Sequence, residues 1–253
     1  MSRVTYCPKN NEDHLLHAGM KTLYCISGLG ADQRIFSELA VPGMTLIPLQ
    51  WILPLQDESI GAYAARMLQQ VPGSAGLPAK IPGEGIGDMD AKDAMSVRPC
   101  FLGVSFGGMM AIEMARLCPG AEVILVSSVK SRRELPLWMR LAGSLRLNRL
   151  MPLRPPRWPW MEDKILGTTN VKERDLVNEF RKTADPHYIR WAIAQVLNWR
   201  NEWRPPVCYH IHGNRDRTFP IRRIRPTHVV QGGGHFMIFS QAKEMNEILL
   251  KIR

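Results

Sequence analysis

The sequence predicts an α/β protein: a three-layer αβα sandwich with a mostly parallel sheet and an inserted helical segment. Three observations predict it. Short apolar runs alternate with amphipathic stretches along most of the chain. One long stretch, 129–206, breaks that alternation and is far too long for a single crossover helix. A G-x-S-x-G turn, Gly103-Val104-Ser105-Phe106-Gly107, stands between an apolar run and a helical stretch.

Taken in order, residues 1–19 read as an N-terminal extension, because Met20 directly precedes the first apolar run. Strands are expected at 22–27, 45–49, 100–104, 123–127, 207–212 and 227–230, each a short apolar run. Asp32 is placed to cap a helix over 33–39. The segment 59–71 carries Ile60, Ala64, Met67 and Leu68 near the helical period, 106–117 reads as a buried helix, and 237–252 as a closing one. Residues 72–99 hold nine Gly or Pro in 28 positions and no apolar period, so they read as a long loop. The core therefore spans 20–128 and 207–253. The stretch 129–206 reads as a helical cap, with helices at 135–147, 171–183 and 186–201 and six of the seven tryptophans.

Composition bounds the function. With 253 residues, 45% hydrophobic and 22% charged, the chain can bury a real core, which excludes disorder and fibrous repeats as its main architecture. No apolar run approaches the ~20 residues of a membrane span. The charged N-terminus does not read as a secretion signal. Five cysteines at scattered spacings, with no C-x-x-C, argue against a disulfide framework or a zinc site, and a cytoplasmic protein is expected. The formal charge is +10, and 130–204 supplies most of it with 16 basic against 8 acidic residues. No helix-turn-helix, RNP or zinc-finger pattern accompanies that charge, so no nucleic acid is expected and the basic stretch reads as a solvated helical surface.

The chemistry centres on Ser105. In a tight strand-to-helix turn only glycine leaves room on either side of the serine, whose hydroxyl then projects clear of the sheet above a helix N-terminus. Such a nucleophile needs a base, and the base needs an orienting carboxylate. The strand 207–212 runs into Gly213-Asn214-Arg215-Asp216, and the strand 227–230 into Gly232-Gly233-Gly234-His235. Asp216 and His235 thus fall on loops at the same sheet edge as Ser105, in the chain order Ser, Asp, His. His210 and His212 lie within a strand, where a buried, hydrogen-bonded imidazole is the expected role. An oxyanion hole needs two converging N–H groups. Phe106, after the nucleophile, supplies one, and Leu29, in the loop Ser27-Gly28-Leu29-Gly30, the other, with Gly30 as the near alternative.

The elbow, the SGLG loop, HGNRD and GGGH together resemble the α/β-hydrolase superfamily, small bacterial members with a helical cap, from about Met20 onward. The resemblance implies that Ser105, Asp216 and His235 are nucleophile, acid and base. It also implies that the first strand corresponds to the family's third, since the usual leading antiparallel strands have no counterpart. Ser27-Gly28 departs from the common His-Gly oxyanion pattern. The expected activity is hydrolysis of a small carboxylic ester, or a thioester, with no metal and no organic cofactor. Trp51, Trp138 and Trp191 are the aromatics expected to reach substrate. A homo-oligomer is left open. The rival expectation is a non-catalytic protein of this fold that binds a small apolar ligand or an acidic partner.

Overall fold

Each strand alternates its side chains between two apolar clusters, and that alternation sets the layers. Tyr24 and Ile26 of β1 (Lys21–Ile26) face one cluster, while Leu23 and Cys25 face the other. The same split divides Phe101 from Leu102 in β3 (Cys100–Val104) and Val123 from Ile124 in β4 (Glu122–Val126). The computed structural model describes residues 20–74, 98–147, 168 and 171–252. The extension 1–19, most of the loop 72–99, Trp158 and Trp160 lie outside the described residues.

With β2 (Met44–Pro48), β5 (Val207–Gly213) and β6 (His228–Val230), the described residues form a six-stranded, fully parallel sheet in the order β2-β1-β3-β4-β5-β6. All six strands lie within about two residues of their expected bounds. The chain winds outward in opposite directions from β1 and β3, so the sheet has its topological switch point there. One face is covered by α1 (Ile60–Leu68) and α2 (Phe106–Arg116), the other by the C-terminal helices. Ser59 caps α1, its hydroxyl accepting from Ala62 N–H.

Between β4 and β5 come α3 (Leu137–Ser144), α4 (Val171–Thr183) and α5 (Pro186–Asn198). Val177 and Phe180 of α4 join one core cluster, whereas Tyr188, Ala192 and Leu197 of α5 join the other. The two helices therefore straddle the carboxyl edge of the sheet. The chain leaves α5 three residues before the expected end. Trp199 turns extended, and its indole N–H donates to buried Glu113 of α2 at 2.8 Å.

Four other expectations differ: α1 stops three residues short of 71, α3 covers only Leu137–Ser144 of 135–147, and the segments after Asp32 and at the C-terminus depart further. The segment after Asp32 is a single 3-10 turn, Gln33–Phe36, though Asp32 caps it as expected through Arg34 N–H. The closing helix is two pieces, α6 (Met237–Ser240) and α7 (Ala242–Ile252), parted at the non-helical Gln241. The reason is burial. Three successive residues of α6, Met237, Ile238 and Phe239, are all enclosed, while α7 shows one apolar face through Met245, Ile248, Leu249 and Ile252. No helix among the described residues is long and apolar enough to cross a membrane.

Candidate active site

Ser105 sits between β3 and α2 with φ 53° and ψ −118°, a region an L-residue occupies only under constraint. The constraint is crowding. A Cβ on Gly103 would run into the backbone of Gly107 and Gly108; one on Gly107 would strike the carbonyls of Ile26 and Ser27; one on Gly108 would strike the Ser128 side chain. Three glycines thus let β1, β3 and α2 meet at one point. Ser128 Oγ closes the turn from below, donating to the Ser105 carbonyl at 2.6 Å.

Asp216 and His235 are brought to the serine by two interlocked loops. Gly213, at the end of β5, lies flush against Gly233, where neither position has room for a side chain. Arg215 N–H donates to the Gly233 carbonyl and Asn214 N–H to that of Val230. Within this frame Asp216 is buried. Its Oδ1 accepts from the amides of Thr218 (2.8 Å) and Phe219 (2.9 Å), and its Oδ2 from His235 Nδ1 (2.8 Å). A carboxylate only accepts, so Nδ1 carries the ring proton and Nε2 is left as an acceptor. Ser105 Oγ stands 2.9 Å from that nitrogen. The row can take a proton from the hydroxyl and hold the resulting imidazolium against a carboxylate.

Beneath the row lies a layer of histidines in β5, buried and hydrogen-bonded as the sequence reading expected. His212 Nε2 donates to the Phe219 carbonyl at 2.8 Å and lies 3.6 Å from Asp216 Oδ2. His210 Nε2 donates to the Ser128 carbonyl at 3.1 Å, the same Ser128 that holds the elbow. Both rings are fully enclosed, and neither Nδ1 has a partner among the described residues. Burial, with each other's proximity and nearby Lys130 contributing, drives the His210 pKa down to about 3; burial lowers that of His212 as well. Both are neutral donors.

On the other flank, Gly28 lies so near the nucleophile that a Cβ there would stand 3.5 Å from that of Ser105. The loop carrying Leu29 and Gly30 therefore faces the serine, as does Phe106 at the first turn of α2, where helical N–H groups lack intrahelical partners. These two segments flank the switch point of the sheet, where open α/β sheets form their crevice. Trp51 stacks on Phe106 at 5.4 Å and 15°, and Trp191 of α5 meets the same ring edge-on at 6.0 Å. A cavity of about 290 Å³ opens beside them, lined by Gly30, Trp51 and Tyr188 among others. Trp138 is not brought to this cluster. It is 62% exposed on α3, on the side away from buried Met139 and Gly143, and joins none of the ring pairs around Phe106 among the described residues.

A family model described as the alpha/beta hydrolase family matches residues 25–248, nearly the whole described core. The chain belongs to the alpha/beta hydrolase family. Solved structures of this fold align over almost the full length at low identity. MenH from S. aureus covers 91% of this chain and 92% of its own at 16% identity, with a TM-score of 0.62. A putative lipase from Acinetobacter baumannii covers 93% and 85% at 16% identity and 0.60. A 2-hydroxy-6-oxo-6-phenylhexa-2,4-dienoate hydrolase from Rhodococcus covers 92% and 90% at 16% identity and 0.56. A search of curated proteins finds no match. At such identity the neighbours establish the fold of this alpha/beta hydrolase, and its chemistry rests on its own residues.

Proposed function

We propose that this protein is a serine hydrolase that cleaves a small carboxylic ester, or a thioester, through an acyl-enzyme. One observation carries the reading: Ser105 Oγ, held at a strained turn, lies 2.9 Å from His235 Nε2, whose Nδ1 lies 2.8 Å from Asp216. In the reaction His235 Nε2 takes the Ser105 proton as Oγ attacks the carbonyl carbon, and the carbonyl π electrons move onto oxygen. The N–H groups of Phe106 and Leu29, with Gly30 as the alternative to Leu29, receive that oxyanion. The intermediate collapses, the C–O (or C–S) bond breaks, and the leaving group departs with the proton from Nε2. Water repeats the sequence through the same base and releases the acid.

The helices between β4 and β5 act as the cap in this reading. Trp191, edge-on to Phe106, borders the acyl site, and esterases and lipases among the structural neighbours are consistent with a small-molecule substrate. The test is hydrolysis of a p-nitrophenyl ester series of rising acyl length, wild type beside Ser105→Ala, with fluorophosphonate labelling in parallel. Turnover and label that both vanish in the variant are the expected result. Turnover surviving in Ser105→Ala would overturn the proposal. A wild type that neither turns over nor takes the label would instead favour a fold kept for binding.

A further inference from the structure

We propose that Trp51 is a positioning residue for both halves of the oxyanion hole, an inference that rests on the serine-hydrolase reading. Sequence alone suggested a substrate contact, but the hydrogen bonds of Trp51 face the protein. Its indole N–H donates to Ser27 Oγ at 2.7 Å, and Ser27 Oγ donates in turn to the Ala31 carbonyl at 2.8 Å. A serine hydroxyl has one proton. With that proton given to Ala31, only its lone pairs face the indole, which can only donate. Donor and acceptor therefore match in one direction only, and the pair closes the loop 27–31 across its neck. The same loop is turned by Ala31 N–H donating to the Gly28 carbonyl at 3.0 Å, so Leu29 and Gly30 are gripped from both sides.

The face of the same indole stacks on Phe106, the residue whose backbone N–H is the other expected oxyanion donor. One side chain thus touches the two segments that must aim at a single point. Trp51 is itself held from behind. Tyr63 Oη donates to the Ile52 carbonyl at 2.6 Å and accepts from Ile52 N–H at 3.0 Å, which pins the backbone next to Trp51 to buried α1. Ser27 is only 2% exposed, so a lone pair left empty there finds no bulk water.

The test uses Trp51→Phe, which keeps an aromatic face for Phe106 and removes the N–H, and Ser27→Ala, which removes the acceptor. Each is expected to lower kcat for a p-nitrophenyl ester by about 10- to 100-fold, the loss typical of small misplacements, with KM within about two-fold of wild type. The double variant should fall no further than Ser27→Ala alone, because Ser27→Ala already deletes the bond to Trp51 together with the one to Ala31. Inhibition by a trifluoromethyl ketone, which forms an oxyanion on Ser105, should weaken in step with kcat, while the product acid binds as before. Hydrogen exchange at 28–31 should quicken in both variants.

A KM rise with kcat kept, or a shifted chain-length optimum, would make Trp51 a substrate contact and overturn the proposal. So would unchanged exchange at 28–31, whatever the activity. A wild type without turnover or fluorophosphonate label fails at an earlier step. It removes the hydrolase reading, and the oxyanion role goes with it, whereas wild-type turnover with indifferent variants removes the role of Trp51 alone.

Discussion

The two halves of the candidate site are built by different forces. On the serine side, position comes mainly from the absence of side chains: Gly103, Gly107 and Gly108 let backbones touch, with Ser128 under the turn and Ser105 N–H donating to the Val126 carbonyl. On the acid–base side one steric contact, Gly213 against Gly233, joins the loops, but the functional side chains are placed by hydrogen bonds: Asp216 accepts from two amides and His235, and His212 steadies the carbonyl of Phe219. Close packing resists any change of volume, whereas a hydrogen-bonded loop yields to the loss of one donor. The serine side should therefore fail as a fold and the acid–base side as a catalyst.

Gly107→Ala is the sharpest test of the first half and should have the largest effect. Its Cβ would meet two backbone carbonyls at the end of β1, which cannot step aside as a flexible side chain could. A loss of at least ~3 kcal/mol is expected, at the upper end of overpacking costs. It should appear as insoluble protein or a collapsed denaturant midpoint. A well-folded Gly107→Ala variant would break the comparison.

Asp216→Asn tests the second half. It preserves the volume and one accepting oxygen for the amides, but removes the carboxylate that keeps the proton on His235 Nδ1. The expected outcome is a kcat lower by about 10³- to 10⁴-fold, as in comparable triads, with a melting temperature close to wild type. A variant that unfolds instead would mean that Asp216 holds the loop more than it tunes the imidazole. Next in size is His212. His212→Leu leaves the Phe219 carbonyl without its donor in a buried place, at a cost of ~1–3 kcal/mol and a rate several-fold below wild type. His212→Gln, which can still donate, should recover most of both.

That difference in forces also explains what could be read from the sequence. Steric necessity leaves a mark in residue type: glycines around Ser105 and in the loop before His235 were visible as motifs, and the chain order of the three polar residues followed from them. The strand Cys100–Val104 and the helix Val171–Thr183 were legible because one is a pure apolar run and the other keeps a helical period over its full length. Local caps such as Asp32 could be read, but hydrogen bonds between residues distant in sequence leave no such mark. Nothing near Trp51 announces that its partner is Ser27, 24 residues earlier, nor does the alternation of His210 and His212 reveal which carbonyl each one holds. The break at Gln241 was equally hidden, since Met237–Phe239 satisfies a helical pattern and only enclosure by the core divides it from α7.

His210, which holds Ser128 beneath the elbow, gives the site a pH signature that its glycines cannot. His210 is held neutral by burial, with a folded pKa of about 3, below the ~6.5 of an exposed imidazole. Between those values the unfolded chain binds a proton that the native state refuses, so stability falls as pH drops through that window. For this one group the slope is at most ~1.4 kcal/mol per pH unit. Denaturant melts from pH 7 to pH 4 should show that decline, and His210→Gln, which keeps an N–H donor for Ser128 without a titrating group, should flatten part of it. An unchanged slope would mean that other groups carry the acid sensitivity.

The smallest effect separates conformation from space, the two reasons a glycine can be needed. Gly232, in the loop between β6 and His235, has φ +72° but nothing within 4 Å of where a Cβ would stand. Its amide donates to Asn214 Oδ1 at 2.8 Å, a bond that a side chain does not obstruct. Gly232→Ala should therefore cost only ~1–2 kcal/mol for the left-handed backbone, leave kcat nearly intact, and lower the melting temperature by a few degrees. Gly232→Asn should cost less, because asparagine tolerates that region better than alanine. Gly107 is the reverse case, with no positive φ and no room. If the two alanine variants were equally damaging, the loop before His235 would be as tightly packed as the elbow, and the division between a steric half and a hydrogen-bonded half would not hold.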